Sequence, residues 1–253
     1  MHARKSLGQN FLMHARIAER IALVAEIASD VTVLEIGPGT GILTRELLKL
    51  AGKVIAIEAD SELFEKLKTD FASEISDCRL ELVHGDIRDY PLNTTTVLNR
   101  GYQVVANIPY YLTGEIFRMF LEAKHQPNSM TLLVQKEVAD RIVARKESIL
   151  SLSVKAYGTP KREFLVPRGA FVPAPNVDSA VLTVRSISRK NFSTKAEEER
   201  FFALIHAGFA HKRKFVRSNL KKFISEKALW AAEVRGGARA EDLSLSTWLA
   251  LCR

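Results

Sequence analysis

The 253-residue chain is predicted to fold as an α/β domain, a mostly parallel sheet covered by helices on both faces, followed by a small all-helical domain. Three observations carry this expectation. Short apolar runs alternate with helically spaced segments over residues 1–185, the pattern of parallel strands joined by crossover helices. One of those runs ends in a glycine-rich turn that opens a helix. Downstream of a boundary stretch at 186–194, helical spacing alone remains and most of the excess positive charge appears, so the chain divides into 1–185 and 186–253.

The first element that bears on chemistry is the strand over 31–36, which runs into Gly37-Pro38-Gly39-Thr40-Gly41. Residues 42–50 repeat their apolar side chains at helical spacing, giving strand, glycine loop and helix, a unit that lets a ligand approach the backbone closely. A second strand over 54–57 delivers Glu58 at its carboxyl end, where an acid about twenty residues past the glycines characteristically binds ribose hydroxyls. Gly37, Gly39 and Glu58 therefore bracket a nucleoside. The glycine spacing is G-x-G-x-G rather than G-x-G-x-x-G, and Glu35 just before the loop would repel a pyrophosphate, so a cationic sulfonium cofactor fits better than a dinucleotide. After a helix over 63–71, a third strand over 80–84 ends in Gly85-Asp86, a carboxylate placed to accept from an adenine amine or simply to make a turn. His84 is read as a strand residue without a role.

The strand 103–106 leads into Asn107-Ile108-Pro109-Tyr110, which supplies what chemistry at the exocyclic amine of adenine requires. That amine is a poor nucleophile because its lone pair is delocalised into the ring. The Asn107 side-chain oxygen and the carbonyl preceding or at Pro109 are placed to accept both amine hydrogens and direct the lone pair at an electrophile. Tyr110 offers a stacking plane for a flipped base. A Pro-Tyr turn ending a strand is the structural alternative. Helices are expected over 115–123, with Thr113 as cap and Glu115 in the first turn, and over 138–145, with a strand over 130–134 between them. Strands over 159–166 and 180–184 follow, joined by a Pro-rich loop that holds Phe171, and their spacing permits an antiparallel pair at the sheet edge. Helices over 195–211, 216–223 and 227–234 come next, the third stopped by Gly236-Gly237, and a fourth is placed over 243–251.

These motifs, together with Gly8-Gln9-Asn10-Phe11-Leu12 and the run from Gly169 through Ala170-Phe171-Val172-Pro173-Ala174-Pro175-Asn176-Val177-Asp178 to Ser179, resemble S-adenosylmethionine-dependent methyltransferases with a Rossmann-like sheet. More narrowly they resemble the KsgA/RsmA family of small-subunit ribosomal RNA adenine-N6,N6-dimethyltransferases, relatives of the Erm enzymes, over nearly the whole chain. The resemblance implies that Asn10, Leu12, Gly37, Glu58, Asp86 and Asn107 line the pocket of S-adenosylmethionine, and that Phe171 faces the target base opposite Tyr110. It also implies dimethylation of two neighbouring adenosines near the 3′ end of 16S rRNA, within a pre-30S particle, by a monomeric enzyme with a role in ribosome biogenesis. Many members continue after the tyrosine with Asn and Ile-Ser-Thr, whereas Tyr111-Leu112-Thr113-Gly114 stands here. An Erm-like 23S enzyme is the nearest alternative, although Arg239-Ala240-Glu241-Asp242-Leu243-Ser244 looks more KsgA-like. A ribosome-assembly or transcription factor that no longer catalyses is an alternative of another class, against which the intact glycine loop, Glu58, Asp86 and Asn107 to Tyr110 argue. A DNA adenine methyltransferase is a third.

Composition agrees. With 47% hydrophobic residues and 8 Pro the chain can bury a full core, and no apolar run is long enough for a membrane span or a secretory signal, so a cytoplasmic protein is expected. Cys78 and Cys252 lie far apart without paired ligands, so neither a disulfide framework nor a metal site is expected. Residues 186–253 hold 14 Lys+Arg against 7 Asp+Glu, a net of +7, while the remaining 185 residues hold 23 against 22, a net of +1. The excess concentrates at 212–222, where Lys212, Arg213, Lys214, Arg217, Lys221 and Lys222 alternate with Phe and Leu at helical spacing, the footprint of a polyanion-binding face. Arg4 and Lys5 add a second basic point. Arg141, Arg145 and Lys146 form a third, more readily explained by solubility.

Overall fold

The computed structural model of the protein describes residues 9–95 and 101–253; Arg4, Lys5 and Gly8 therefore lie outside the described residues. The chain resolves into two compact units, one of residues 1–139 with 161–187, the other of 140–160 with 188–253.

The first unit is built on strands of nearly unbroken apolar sequence, as sheets covered on both faces require. In chain order its elements are β1 (Phe11–Leu12), α1 (Ala15–Val24), β2 (Thr32–Ile36), α2 (Ile42–Leu50), β3 (Lys53–Glu58), α3 (Ser61–Asp70), α4 (Ala72–Ser76), β4 (Leu80–His84), β5 (Tyr102–Asn107), α5 (Thr113–Leu121) and β6 (Ser129–Gln135). From α6 (Lys136–Val143) the chain passes through α7 (Ile149–Lys155) in the second unit and returns along β7 (Thr159–Val166), β8 (Phe171–Val172) and β9 (Ser179–Arg185). The main sheet has seven strands in the order β4-β3-β2-β5-β6-β9-β7. β4, β3, β2, β5 and β6 run parallel, and β9 lies antiparallel to β6, pairing Met130 with Val184 through Gln135 with Ser179. The expected parallel sheet with an antiparallel edge is thus what forms. Sequence-adjacent strands progress outward in one direction from β2 to β4 and in the other from β5 to β6, so the order reverses between β2 and β5. A crevice at the carboxyl ends of such strands is where open α/β sheets bind ligands.

Helix α1 has no counterpart in the sequence reading. Its Ala18, Ile21 and Ala22 are buried in a cluster with Leu43, Leu47, Val33 and Val54. Helix α5 begins as expected with Glu115 in its first turn, but Thr113 is not its side-chain cap: the Thr113 hydroxyl donates instead to the Tyr110 carbonyl at 2.9 Å, fastening the turn before the helix.

The second unit adds α8 (Lys195–Phe209), α9 (Val216–Leu220), α10 (Glu226–Ala231) and α11 (Leu245–Ala250) to α7. Its core packs Trp248, Phe201, Leu204, Val216, Leu220 and Leu229. A Cβ on Gly208 would come within 2.3 Å of the Trp248 ring, so only glycine lets that indole seat against α8. Two expectations need correcting. Residues 140–160 group with the C-terminal helices rather than with 1–139, because Glu147 N donates to the Glu241 carbonyl at 2.8 Å and Lys146 pairs with Glu241 at 2.7 Å. The basic stretch is not one amphipathic helix, since 212–215 form a turn and α9 ends at Leu220. Among the described residues no helix is long and apolar enough to cross a membrane.

Candidate active site

Parallel register builds the site. Ile36 lies opposite both Ile57 and Ala106, so the next residues, Gly37, Glu58 and Asn107, stand in one row at the carboxyl ends of three adjacent strands. Glu58 pairs in turn with His84, which places Gly85 and Asp86 just beyond that row. A cleft of about 1010 Å³, its open mouth included, lies over the row. Asn10, Leu12, Gly37, Gly39, Glu58, Asp86, Asn107, Pro109 and Tyr110 all line it.

The glycine loop turns because it can reach positive φ. Gly37 sits at φ 65, and Gly41, which precedes α2, at φ 77. The Gly39 N–H donates to Glu58 Oε2 at 2.9 Å, and the Asp60 N–H to Oε1 at 2.9 Å. Each carboxylate oxygen keeps a lone pair for a further donor such as a sugar hydroxyl. Burial raises the Glu58 carboxyl above its ordinary range against the two N–H bonds that lower it. Asp60, its oxygens accepting from Glu62 N and Leu63 N, caps α3 and also takes a hydrogen bond from Gln9 Nε2 at 3.1 Å, drawing the segment before β1 to the cleft.

Glu35, on β2, is 1% exposed and reaches the same cleft. Burial pushes its carboxyl up to about 8, with the nearby Thr44 hydroxyl opposing and the charge of Glu58 adding to the shift. Its Oε2 has no hydrogen-bond partner among the described residues. Asp86 is the opposite case. Arg88 grips it through Nε at 2.9 Å and Nη2 at 2.6 Å and holds its carboxyl below the ordinary range. Among the described residues the cleft lining thus carries three acidic side chains, Glu35, Glu58 and Asp86, and no Lys, Arg or His.

At the end of β5 the Asn107 amide nitrogen donates to the Asn10 carbonyl at 3.1 Å, which commits the nitrogen and leaves Oδ1 as an acceptor. Of the two carbonyls considered from sequence, that of Pro109 already accepts the Leu112 N–H at 3.0 Å, while that of Ile108 accepts no hydrogen bond among the described residues. Tyr110 is half-buried and its hydroxyl is 2.7 Å from Ser179 Oγ; burial raises the phenol above its ordinary range, so it stays protonated at neutral pH. Tyr111 lies beside it in the cleft wall, 60% exposed.

Phe171, expected to face a target base opposite Tyr110, lies in the β1–β8 ribbon. It is 2% exposed, pairs with Leu12 in the β1–β8 ribbon, packs with Val166 and Ala170, and does not line the cleft. Its physical role is to seat Leu12, which does. Sequence reasoning missed the partnership of Ser179 with Tyr110, the Arg88 clamp and the unpartnered Glu35 oxygen. Ser179 and Glu35 stand inside recognisable motifs, but only the folded geometry gives Ser179 its partner and leaves the Glu35 oxygen without one.

The basic residues of the second unit divide by what they touch. Lys212, Arg213 and Lys214 lie exposed in the turn after α8, and Lys221 and Lys222 exposed after α9. Arg217 is committed instead: its guanidinium donates to the Val234 carbonyl at 2.6 and 3.1 Å and to Glu226 at 3.1 Å.

The model of the family described as ribosomal RNA adenine dimethylase matches residues 1–253. A ribosomal RNA small subunit methyltransferase A of Dehalococcoides mccartyi is 40% identical over 260 residues, covering 100% of this chain and 88% of its own length. That of Mycoplasmopsis synoviae is 41% identical, covering 97% and 94%. Among solved structures, the 23S rRNA methyltransferase ErmE superposes with a TM-score of 0.80 at 28% identity over 96% of this chain and 98% of its own, and a dimethyladenosine transferase from Plasmodium falciparum with 0.80 at 25% over 95% of each. On the full-length family match and these identities, borne by a cleft whose row of Gly37, Glu58 and Asn107 the sheet itself sets, the chain belongs to the ribosomal RNA adenine dimethylase family.

Proposed function

We propose that this protein transfers methyl groups from S-adenosylmethionine to N6 of two adjacent adenosines near the 3′ end of the small-subunit ribosomal RNA, acting as a monomer on a pre-30S particle in the cytoplasm. The observation that carries the reading is the row Gly37, Glu58, Asn107 beneath a cleft lined, among the described residues, by three acidic side chains and no cationic one. Glu58, each of whose oxygens keeps a lone pair, suits the ribose hydroxyls of a nucleoside, and among the described residues the lining offers a pyrophosphate no cationic side chain. Glu58 takes the ribose hydroxyls, Asp86 the adenine amine, and Gly37 and Gly39 allow close approach; Asn10 and Leu12 close the pocket. When bound, the cofactor presents an electrophilic methyl on a sulfonium.

The chain's own residues do the rest. Asn107 Oδ1 and the Ile108 carbonyl accept the two hydrogens of the target amine and turn its lone pair toward the methyl, with Pro109 fixing the turn that aims them. Tyr110, held by Ser179, stacks on the flipped base. A neutral phenol cannot serve as a strong base, and none is needed, because the nitrogen loses its proton to water once it carries the methyl. Positioning is the main catalytic device. The exposed Lys212, Arg213, Lys214, Lys221 and Lys222 supply phosphate contacts. The higher identity to small-subunit enzymes than to ErmE favours the small subunit. Labelled methyl transfer to unmethylated small and large subunits, followed by nucleoside mapping, tests the reading. Two dimethyladenosines in the small-subunit RNA are expected, and label in 23S rRNA or in neither subunit would overturn it.

A further inference from the structure

The two tryptophans of the chain have opposite environments. Trp248 is fully buried, whereas Trp230, on α10 in the second unit, is 69% exposed. A large aromatic plane open to solvent is available to a partner, and tryptophan is enriched at interfaces for that reason. One face of its ring is covered: the Arg217 guanidinium lies over it at 4.5 Å from the centroid. That guanidinium is itself fixed by Val234 and Glu226, so the indole rests on a rigid cationic support, with its exposed surface turned to solvent. Two more exposed aromatics, Phe215 and Phe223, occur in the same stretch of chain, and residues 212–235 carry eight Lys+Arg against two Asp+Glu, Glu226 and Glu233.

We propose that Trp230, which is not among the residues lining the cleft, is a second base-stacking platform of this enzyme, taking one unpaired nucleotide of the ribosomal RNA on the ring face opposite Arg217. An aromatic plane within a cationic stretch suits a single-stranded polyanion, because the base stacks on the ring while neighbouring phosphates meet Lys227, one helical turn back along α10, and the exposed lysines after α9. A protein partner would want an apolar surface less dominated by one sign of charge. The arginine beneath the ring strengthens the stack through the indole and removes the conformational freedom that a lone surface tryptophan would lose on binding. The inference rests on the reading that the second unit contacts RNA.

The test uses the full chain, its emission, and two RNA probes, a small-subunit rRNA transcript and a single-stranded oligoadenylate. Binding of either should quench the wild-type tryptophan emission, and Trp230→Phe should lose the quenching while keeping affinity within a few fold. Trp230→Ala should bind about 5- to 100-fold more weakly. Because stacking releases no counterions, it should do so with an unchanged slope of affinity against salt. Cofactor binding and thermal unfolding should match the wild type. RNA affinity of Trp230→Ala equal to wild type, or emission indifferent to RNA, overturns the proposal, as does binding of a ribosomal protein instead of RNA at this residue. A parallel variant with Lys212, Arg213 and Lys214 changed to Gln separates the two readings. If its salt slope flattens while Trp230→Ala binds normally, only the platform falls; if it does not flatten, the RNA contact of this basic turn falls as well.

Discussion

Glu35 sets the residue scale, because a carboxylate with an unpartnered oxygen inside the fold is costly unless something uses it. Its carboxyl moves from 4.5 to about 8. The unfolded chain therefore releases this proton near pH 4.5 while the cofactor-free fold keeps it until about 8, so the stabilisation present at low pH is lost as pH rises through that interval. Unfolding midpoints of the cofactor-free protein and Glu35→Gln, measured from pH 5 to 9, should agree most closely at the acid end and diverge in favour of the variant toward pH 8; a constant offset would refute this. Glu58 is the charged neighbour that adds to the shift, and its own carboxyl is raised, so Glu58→Gln should lower the Glu35 midpoint. At the target end, Asn107→Ala and Tyr110→Ala should each cut the methylation rate about a hundredfold or more at saturating cofactor, a loss of about 2.7–4 kcal/mol for the polar contact of Asn107. Quench-flow transfer of labelled methyl reads it, and near wild-type rates would remove the mechanism. The placement of Asn107, Tyr110 and Glu58 at one cleft was legible because residue type and strand-end position are both written in the sequence. The burial of Phe171 was not legible, because a sequence shows that an aromatic is near a site but not which way its strand faces. The choice of the Ile108 over the Pro109 carbonyl was likewise invisible before the turn closed onto Leu112.

At the scale of elements, the glycine loop and α2 join the cofactor cleft to the core. A Cβ on Gly41 would stand 2.6 Å from the Phe71 ring and 3.0 Å from Leu67, with the backbone at φ 77. Backbone strain of about 1–2 kcal/mol and overpacking of about 1–3 kcal/mol add in Gly41→Ala, whereas Gly37→Ala, whose Cβ meets nothing within 4 Å, carries the strain alone. Denaturant unfolding should therefore show Gly41→Ala as the less stable of the two, and equal losses would mean that Phe71 and Leu67 yield freely. Apolar runs bounded by turn residues made β2, β3, β5, β6 and β9 readable, each flanked by a change of period. The β1–β8 ribbon was not, since two residues a side carry no periodicity, and its pairing spans about 160 positions of chain. Helix α7 was missed because its start is marked only by a serine capping box, Ser148 with Ser151, in a stretch rich in charge. The basic segment misled for a different reason. Helical spacing of Phe and Leu continued through a turn, and the short α9 takes its hold from Arg217 and from Asn219, whose amide donates to the Gly208 carbonyl at 2.6 Å, rather than from length.

For the whole molecule, the way the chain divides sharpens its charge. Once residues 140–160 are counted with the C-terminal helices, the second unit holds 18 Lys+Arg against 9 Asp+Glu, a net of +9, and the first holds 19 against 20, a net of −1. The acidic side chains of the cleft and the basic excess thereby lie in separate parts of the chain. Not every cation is available: Arg217 is tied to Val234 and Glu226, and Lys146 and Lys155 pair with Glu241 and Glu147. Lys212, Arg213 and Lys214 are the exposed ones in a single turn, so they are the residues to change together. Each base that neutralises a phosphate contributes a slope of about −0.7 to −0.9 to log affinity against log salt. Replacing these three with Gln should flatten the slope for small-subunit rRNA by about two to three units and weaken binding most at low salt. Cofactor affinity should not change, because none of these three residues lines the cleft. Arg217→Gln should behave differently, lowering the unfolding temperature of the second unit, with its RNA affinity at a temperature where it remains folded falling mainly through loss of the support beneath Trp230. Filter binding across a salt series, with thermal unfolding beside it, separates the two. Parallel salt curves for the triple variant and the wild type would mean that this turn is only solvated, and the phosphate contacts would then have to be sought at Lys221, Lys222 and the amino-terminal Arg4 and Lys5.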